Sequence, residues 1–192
     1  MRAWLNWGLL AACWSFSPVN HAGGCVVDPL KSVNWDYMKS TVIGDAPCSF
    51  DGRIKVEVPE FAEDPFQVPI SIDASQIDDI EKIVAFSDLN PIQHIFNYYP
   101  QQQVSPKVSL RIKVQQSTPV RAAVLTKDGR WHVGGTLLSA AGGGCTAPSV
   151  GTGNSYWEEH LGEIKGRAFN LGSSQQTRLK FKVIHPMDTG LA

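Results

Sequence analysis

The segment "KVSLRIKVQQSTPVRAAVLTKDGRWHVGGTLL", residues 107–138, decides the fold of this chain. Its first eight residues alternate polar and apolar side chains, which is the period of a half-buried strand. Two further apolar runs flank the triplet Lys127, Asp128 and Gly129, and Asp-Gly between extended runs is a hairpin signal. We therefore expect three strands here, the last two joined as a hairpin.

Shorter segments with the same period precede this stretch, separated by turn residues and without a helical pattern. They are residues 53–58, 66–73, 82–88 and 91–99. About seven short strands in succession predict a mainly β fold, an immunoglobulin-like antiparallel β-sandwich over residues 50–141. Because proline cannot donate to a strand ladder, Pro69 predicts that its strand lies at an edge or a bulge.

An N-terminal helical segment is predicted ahead of the sandwich, over residues 25–49. Within it, "DPLKSVNWDYMKSTVIG" (28–44) begins with an Asp-Pro pair typical of helix starts and ends at Gly44. The apolar residues at helical spacing are Leu30, Val33, Tyr37 and Met38. We expect one short amphipathic helix that packs on the sandwich.

Residues 1–24 have the pattern of a signal peptide, so we expect export. Arg2 is followed by an apolar run that is too short to span a bilayer, and then by a polar stretch. "AGGC", which ends at Cys25, partly matches a lipoprotein cleavage motif but lacks its aliphatic residue, so a lipid anchor is the less favoured alternative. With 17 Lys and Arg against 18 Asp and Glu and no basic cluster, the composition does not favour nucleic-acid binding.

Export determines how the cysteines are interpreted. Cys13 would leave with the signal, so the mature chain keeps Cys25, Cys48 and Cys145, an odd number in an oxidising compartment. Cys25 and Cys48 flank the predicted helix and are the candidate disulfide pair. The alternative is a disulfide between Cys145 and one of these two.

The most unusual segment is "SAAGGGCTAPSVGTG" (139–153), in which Gly142, Gly143 and Gly144 precede Cys145. Because glycine leaves the backbone free, we expect an exposed thiol on a mobile arm that reaches roughly 20 Å from the sandwich. Such a thiol suits a carrier that other proteins load and unload. Two alternatives are a flexible linker with an incidental cysteine and a disulfide to a partner.

The sequence carries no motif of an established catalytic class, no cofactor fingerprint and no cluster of metal ligands. We therefore predict that the protein is not an enzyme and uses no cofactor or metal. The hypothesis of a thiol-dependent enzyme is the least favoured, because a mobile arm positions a nucleophile poorly.

Three segments resemble a known family. "VPISIDASQIDDIEKIVAFSDLNP" (68–91), "VSLRIKVQQSTPVRAAVLTKDGRW" (108–131) and "GGGC" (142–145) resemble the SoxY subunit of the SoxYZ carrier of bacterial periplasmic thiosulfate oxidation. In that family a cysteine in a C-terminal glycine arm carries sulfur intermediates between enzymes. The resemblance implies a SoxY-like sandwich, a periplasmic location and Cys145 as the carrier cysteine.

The C-terminal "KVIHPMDTG" (182–190) resembles an early strand of SoxZ, the partner subunit. Both parts on one chain are similar to the fused SoxYZ-like carriers found beside PQQ-type quinoprotein dehydrogenases. The resemblance implies a glycine-rich carrier loop and linker over 142–177 and the first strand of an incomplete SoxZ-like domain over 178–192.

The partners that the resemblance implies are periplasmic redox enzymes, such as a PQQ dehydrogenase or a cytochrome c, and a separate SoxZ-like chain. In this sequence Cys145 is followed by "TAPS" instead of two glycines, so the arm is tethered on both sides. The alternative function is a non-catalytic docking or assembly module for a periplasmic dehydrogenase or cytochrome, in which the thiol is incidental.

Overall fold

The computed structural model describes residues 24–145, 156–172 and 176–185. Within these ranges the chain forms two helices and eleven strands. In chain order they are α1 (Trp35–Val42), β1 (Cys48–Phe50), β2 (Lys55–Glu57), β3 (Phe61–Ala62), β4 (Val68–Asp73), β5 (Ile80–Ser87), β6 (His94–Tyr98), β7 (Lys107–Ile112), β8 (Thr118–Thr126), β9 (Trp131–Ala140), α2 (Tyr156–Glu159), β10 (Ile164–Asn170) and β11 (Thr177–Val183). The predicted signal segment, 1–24, lies outside the described residues except for Gly24.

Two sheets form the body of the protein. The larger has the strand order β1-β9-β8-β5-β6, with β3 also paired to β9, and the smaller has the order β2-β4-β7. The strands β8 and β9 are antiparallel and form the predicted hairpin, whose turn contains Gly129 at φ 78°. β1 and β3 both pair with β9 in parallel, which the sequence did not indicate.

The larger sheet is covered on both faces. On one face Trp35 of α1 belongs to a buried cluster with Phe86 and Val133, and on the other Ile83 lies in a cluster with Ile72 of the smaller sheet. Because both faces are covered, β5 and β8 are nearly continuous apolar runs instead of alternating ones. The predicted mainly β fold with packed sheets is confirmed.

The predicted helix is shorter than expected. Turns at residues 29–30 and 33–34 precede α1, which begins only at Trp35, because the side chain of Asp28 accepts hydrogen bonds from the backbone N–H groups of Leu30 and Ser32. Val33, predicted on the buried face, is 95% exposed, while Trp35 and Met38 are buried. The predicted C-terminal stop at Gly44 is present, with φ 68°.

A buried ion cluster fastens this segment to the sheet. Arg121 of β8 donates from Nε to both carboxylate oxygens of Asp88, at 3.0 Å, and from Nη2 to Asp28, at 2.7 Å. Its guanidinium lies over the Trp35 ring, 4.6 Å from the centroid. Burial raises the pKa of the Asp88 carboxyl, against the opposing effect of Arg121. No pattern around Arg121 in the sequence indicates that this arginine is enclosed.

Pro69 lies on a central strand, so the predicted edge position is wrong. β4 pairs with both β2 and β7, but β2 reaches only Ser71, Ile72 and Asp73. Pro69 lies beyond the end of β2, so its missing N–H interrupts no ladder on that side.

The predicted linker, residues 142–177, contains secondary structure. It includes α2 and the whole of β10, which pairs along its length with β11 as an antiparallel hairpin. The alternation of β10 is weak because its apolar face includes Gly166 and Ala168, and for this reason sequence periodicity missed it. The predicted strand near the C-terminus is present as β11, and its strand partner is β10. The boundaries of the proposed domains stay a prediction.

Cys25 and Cys48, the candidate pair, are joined by a disulfide, with their Cα atoms 5.5 Å apart. The bridge links the N-terminal segment to β1 across 23 residues. We expect the double variant Cys25→Ser/Cys48→Ser to lose about 3 kcal/mol of unfolding free energy, since the bridge restricts the unfolded chain. Urea denaturation measures this loss, and dithiothreitol should lower the wild type to the same value. Recovery of both residues as thiols by non-reducing peptide mapping would contradict the pairing.

Candidate functional site

The glycine arm starts where β9 ends, and that end is fixed. Ala140 donates its N–H to Ser117 Oγ at 3.0 Å, and its carbonyl accepts from the same hydroxyl at 3.2 Å. From here residues 141–145 run along the connection between β7 and β8 instead of pointing away from the body.

Three hydrogen bonds dock the arm on that connection. Gly143 donates to the carbonyl of Gln115 at 3.0 Å, Gly144 donates to the carbonyl of Val114 at 3.1 Å, and Cys145 donates to the Gln115 side-chain oxygen at 3.2 Å. The arm is therefore held through its own backbone N–H groups, up to and including that of Cys145.

The receiving connection is itself held by neighbouring residues. The side chain of Asn90 accepts from the Gln115 N–H at 3.0 Å and donates to the carbonyl of Lys113 at 2.9 Å. Val114 donates its N–H to the carbonyl of Pro65 at 2.8 Å. Asn90 and Pro65 thus keep in place the groups that bind the arm.

The glycines permit this close docking. A Cβ on Gly142 would lie 2.6 Å from the carbonyl oxygen of Gln115, and one on Gly144 would lie 2.6 Å from that of Val114 and closer still to that of Pro65. Gly142 and Gly143 also have φ of 103° and 90°, which other residues rarely adopt. From the sequence alone, the glycines are explained by mobility of the arm. In the structure they instead let the arm fit into a narrow slot, which is lined by the carbonyl groups of Pro65, Val114 and Gln115.

The expectation of an exposed thiol is wrong for this arrangement. Cys145 is 4% exposed, and its backbone lies against the body of the protein. Burial raises the pKa of the Cys145 thiol, and the positive charge of Lys113 opposes this increase. The docked thiol is therefore sheltered from solvent.

The candidate disulfide cysteines lie apart from the arm. Cys25 and Cys48 are bonded to each other on the helical side of the larger sheet, and Cys145 is outside that bridge. His132 hydrogen-bonds Asp51 at 2.9 Å. Across the described residues no three His, Cys, Asp or Glu side chains are grouped so that they could hold a metal ion.

Sequence reasoning missed the residues that receive the arm. Gln115 lies in a polar stretch between two strands, and nothing in its neighbourhood distinguishes it from a turn residue. Asn90 precedes Pro91 and matches a turn signal, which conceals its two contacts with the β7–β8 connection.

No helix in the described part of the chain is long and apolar enough to cross a bilayer. None of the curated proteins matches the chain significantly. Among solved structures, the sulfur carrier protein SoxY from Chlorobium limicola f thiosulfatophilum is similar, at 20% identity and a TM-score of 0.50. The similarity covers 56% of this chain and 96% of that one.

Two superoxide reductases are also similar over part of the chain. The one from Ignicoccus hospitalis (neelaredoxin) is 12% identical with a TM-score of 0.40, over 45% of this chain and 79% of that one. A putative one from Thermotoga maritima is 14% identical with a TM-score of 0.40, over 50% of this chain and 93% of that one.

A family model of the sulfur oxidation protein SoxY matches residues 39–145. The match covers more than half of the chain, including every strand of the two packed sheets, and its last residue is Cys145. The chain belongs to the SoxY family.

Proposed function

We propose that this protein is an exported carrier that holds a covalently attached group on Cys145 and presents it to partner redox enzymes. The observation that carries the proposal is the position of Cys145, which ends both the docked glycine arm and the SoxY match. The sheltered thiol gives the carrier two states, a docked arm that protects the sulfur and an undocked arm that a partner can load.

Undocking is the step that controls the chemistry. The docked arm has three hydrogen bonds to the Val114–Gln115 connection, each worth about 0.5–1.5 kcal/mol net. This is small enough for a visiting protein to replace with its own backbone contacts. Once in water, the thiol loses the burial that raises its pKa, so a larger fraction is thiolate.

Loading can proceed by exchange. The Cys145 thiolate attacks one sulfur of an S–S bond in the donor, a new S–S bond forms, and the other donor sulfur leaves as an anion with the electron pair. If the donor is a thiol, the new S–S bond forms with loss of two electrons and two protons, and a redox partner must accept those electrons. A carrier of this kind therefore works with a redox protein, for which we propose a cytochrome c or a PQQ dehydrogenase.

The proposal also covers the cellular location of the protein and the role of its C-terminal residues. The Cys25–Cys48 disulfide suits an oxidising compartment, which supports export to the periplasm. We propose that residues 178–192, which include most of β11, begin a SoxZ-like part and that a separate SoxZ-like chain acts with this protein.

The test uses tetrathionate as the donor and intact-mass measurement as the readout. Attack of the Cys145 thiolate on an S–S bond of tetrathionate should attach a thiosulfate-derived group to Cys145 and release thiosulfate. Dithiothreitol should remove the attached group. We expect Cys145→Ser to abolish the adduct while the Cys25–Cys48 bridge stays intact. The protein recovered from the oxidising compartment should carry a reductant-sensitive adduct at the same residue. An unmodified thiol there would favour the docking or assembly module instead.

A further inference from the structure

The β10–β11 hairpin has one strongly basic face. Cross-strand partners share a face of the ribbon, so the register places the side chains of alternate residues together. The residues on this face, named here the basic face, are Lys165, Arg167, Phe169, Arg178, Lys180 and Lys182. Every residue of both strands is exposed, so the basic face is open to solvent.

Like charges lie directly opposite each other on this face. Lys165 is the partner of Lys182, and Arg167 is the partner of Lys180. Neither strand contains Asp or Glu. Two such pairs destabilise the hairpin unless an external anion compensates for the repulsion.

The protein itself compensates little of this charge. Among ion pairs of the described residues, only one reaches the basic face, from Glu163 to Lys165 at 3.5 Å. The chain has 17 Lys and Arg and 18 Asp and Glu. With the five cations of the basic face set apart, 12 cations and 18 carboxylates remain elsewhere, a net charge of −6. The positive charge is thus concentrated on one ribbon of an otherwise acidic protein.

We propose that the basic face binds an acidic surface patch of a partner protein. Complementary charge brings two proteins together quickly and sets their orientation, which suits a carrier that visits several partners. Arg167, Arg178 and Phe169 are of the types enriched where protein surfaces meet. The surface lies outside Cys145 and the arm, so the inference goes beyond the carrier function and stands without it.

A protein patch fits this distribution better than a membrane or a nucleic acid. An anionic bilayer or a DNA duplex extends well beyond a seven-residue ribbon and would repel the rest of the chain, which is net acidic. A carboxylate patch of about the size of the ribbon contacts the basic face alone. We therefore assign the face to an acidic protein.

The experiment measures binding of the full chain with Cys145→Ser to immobilised poly-L-glutamate at low salt. We expect Lys180→Glu/Lys182→Glu to weaken the affinity at least about tenfold, because both charges are reversed on the face. The matched control is Lys31→Glu/Lys127→Glu, which changes the net charge equally at two exposed lysines away from β10 and β11. This control should bind within about twofold of the parent. The neutral variant Lys180→Gln/Lys182→Gln should be intermediate.

Three results would overturn the proposal. Equal weakening by both charge-reversal variants would show an effect of net charge alone. Tighter binding to vesicles of phosphatidylcholine with 30% phosphatidylserine, or to a DNA duplex, would assign the face to another anion. Salt-sensitive self-association in sedimentation experiments that Lys180→Glu/Lys182→Glu removes would make a second copy of this chain the occupant. Because the assay lacks the thiol, its failure leaves the carrier proposal untouched.

Discussion

Arg121→Met is expected to lower the free energy of unfolding by about 3–5 kcal/mol. The arginine side chain is 1% exposed, and its partners Asp88 and Asp28 are 0% and 6% exposed. Removing the cation leaves two buried carboxylates, which repel each other, without the arginine that pairs with both of them. The N-terminal segment would also lose its charged contact with the larger sheet.

Urea denaturation followed by tryptophan fluorescence measures this change, since Trp35 packs against the arginine. Arg111→Met is the matched control, because Arg111 lies on β7 and is exposed. We expect this control to remain within about 0.5 kcal/mol of the wild type. A comparably small change for Arg121→Met would mean that the cluster contributes little net stability and that apolar packing alone holds the segment.

Most strands of the two packed sheets could be predicted from the sequence, because they are alternating or apolar runs between turn residues, whereas the short strands β1 and β3 were not predicted. The β8–β9 pair follows from the Asp-Gly turn between two extended runs, which acts over a few residues, whereas the β4–β7 pair joins segments that are distant in the sequence and was not predicted. The Cys25–Cys48 pair also follows from short-range reasoning, since the two residues flank one helix. For such features the sequence contains the physical cause within a short window.

Contacts between distant segments were not accessible. Asp28 reaches Arg121 across 93 residues, and only the folded chain shows that this arginine is enclosed instead of solvated. The predicted helix start is too early for the same reason. Asp28 accepts a hydrogen bond from the turn that follows it and pairs with Arg121, so it does not cap a helix. The parallel pairing of β1 and β3 with β9 likewise depends on the assembled sheet.

The glycine arm shows why composition alone misled. Three glycines are compatible with a mobile tether and with a tightly docked strand, because both need a missing Cβ. The choice depends on what lies beside them, which here is the row of carbonyl groups from Pro65, Val114 and Gln115. That neighbourhood exists only after the β7–β8 connection and the residues before β4 have come together.

Gly144→Ala is therefore expected to release the arm and to increase the rate of Cys145 modification about ten- to a hundredfold. The added Cβ would lie 2.6 Å from the Val114 carbonyl, and overpacking of this kind costs about 1–3 kcal/mol, which shifts the arm toward the undocked state. Reaction with an aromatic disulfide reagent, read by absorbance and by intact mass, measures the rate.

The pH dependence separates release of the arm from general loosening. Burial raises the pKa of the docked thiol, so the wild-type rate should rise with a midpoint above that of an ordinary cysteine. In Gly144→Ala the midpoint should move down toward the ordinary value, because the sulfur is hydrated. Gly52→Ala is the control, since a Cβ there meets no atom within 4 Å and the residue lies outside the arm. If Gly144→Ala reacted at the wild-type rate with an unchanged midpoint, the slot would not be what shelters the sulfur, and a carrier with a docked resting state would be ruled out.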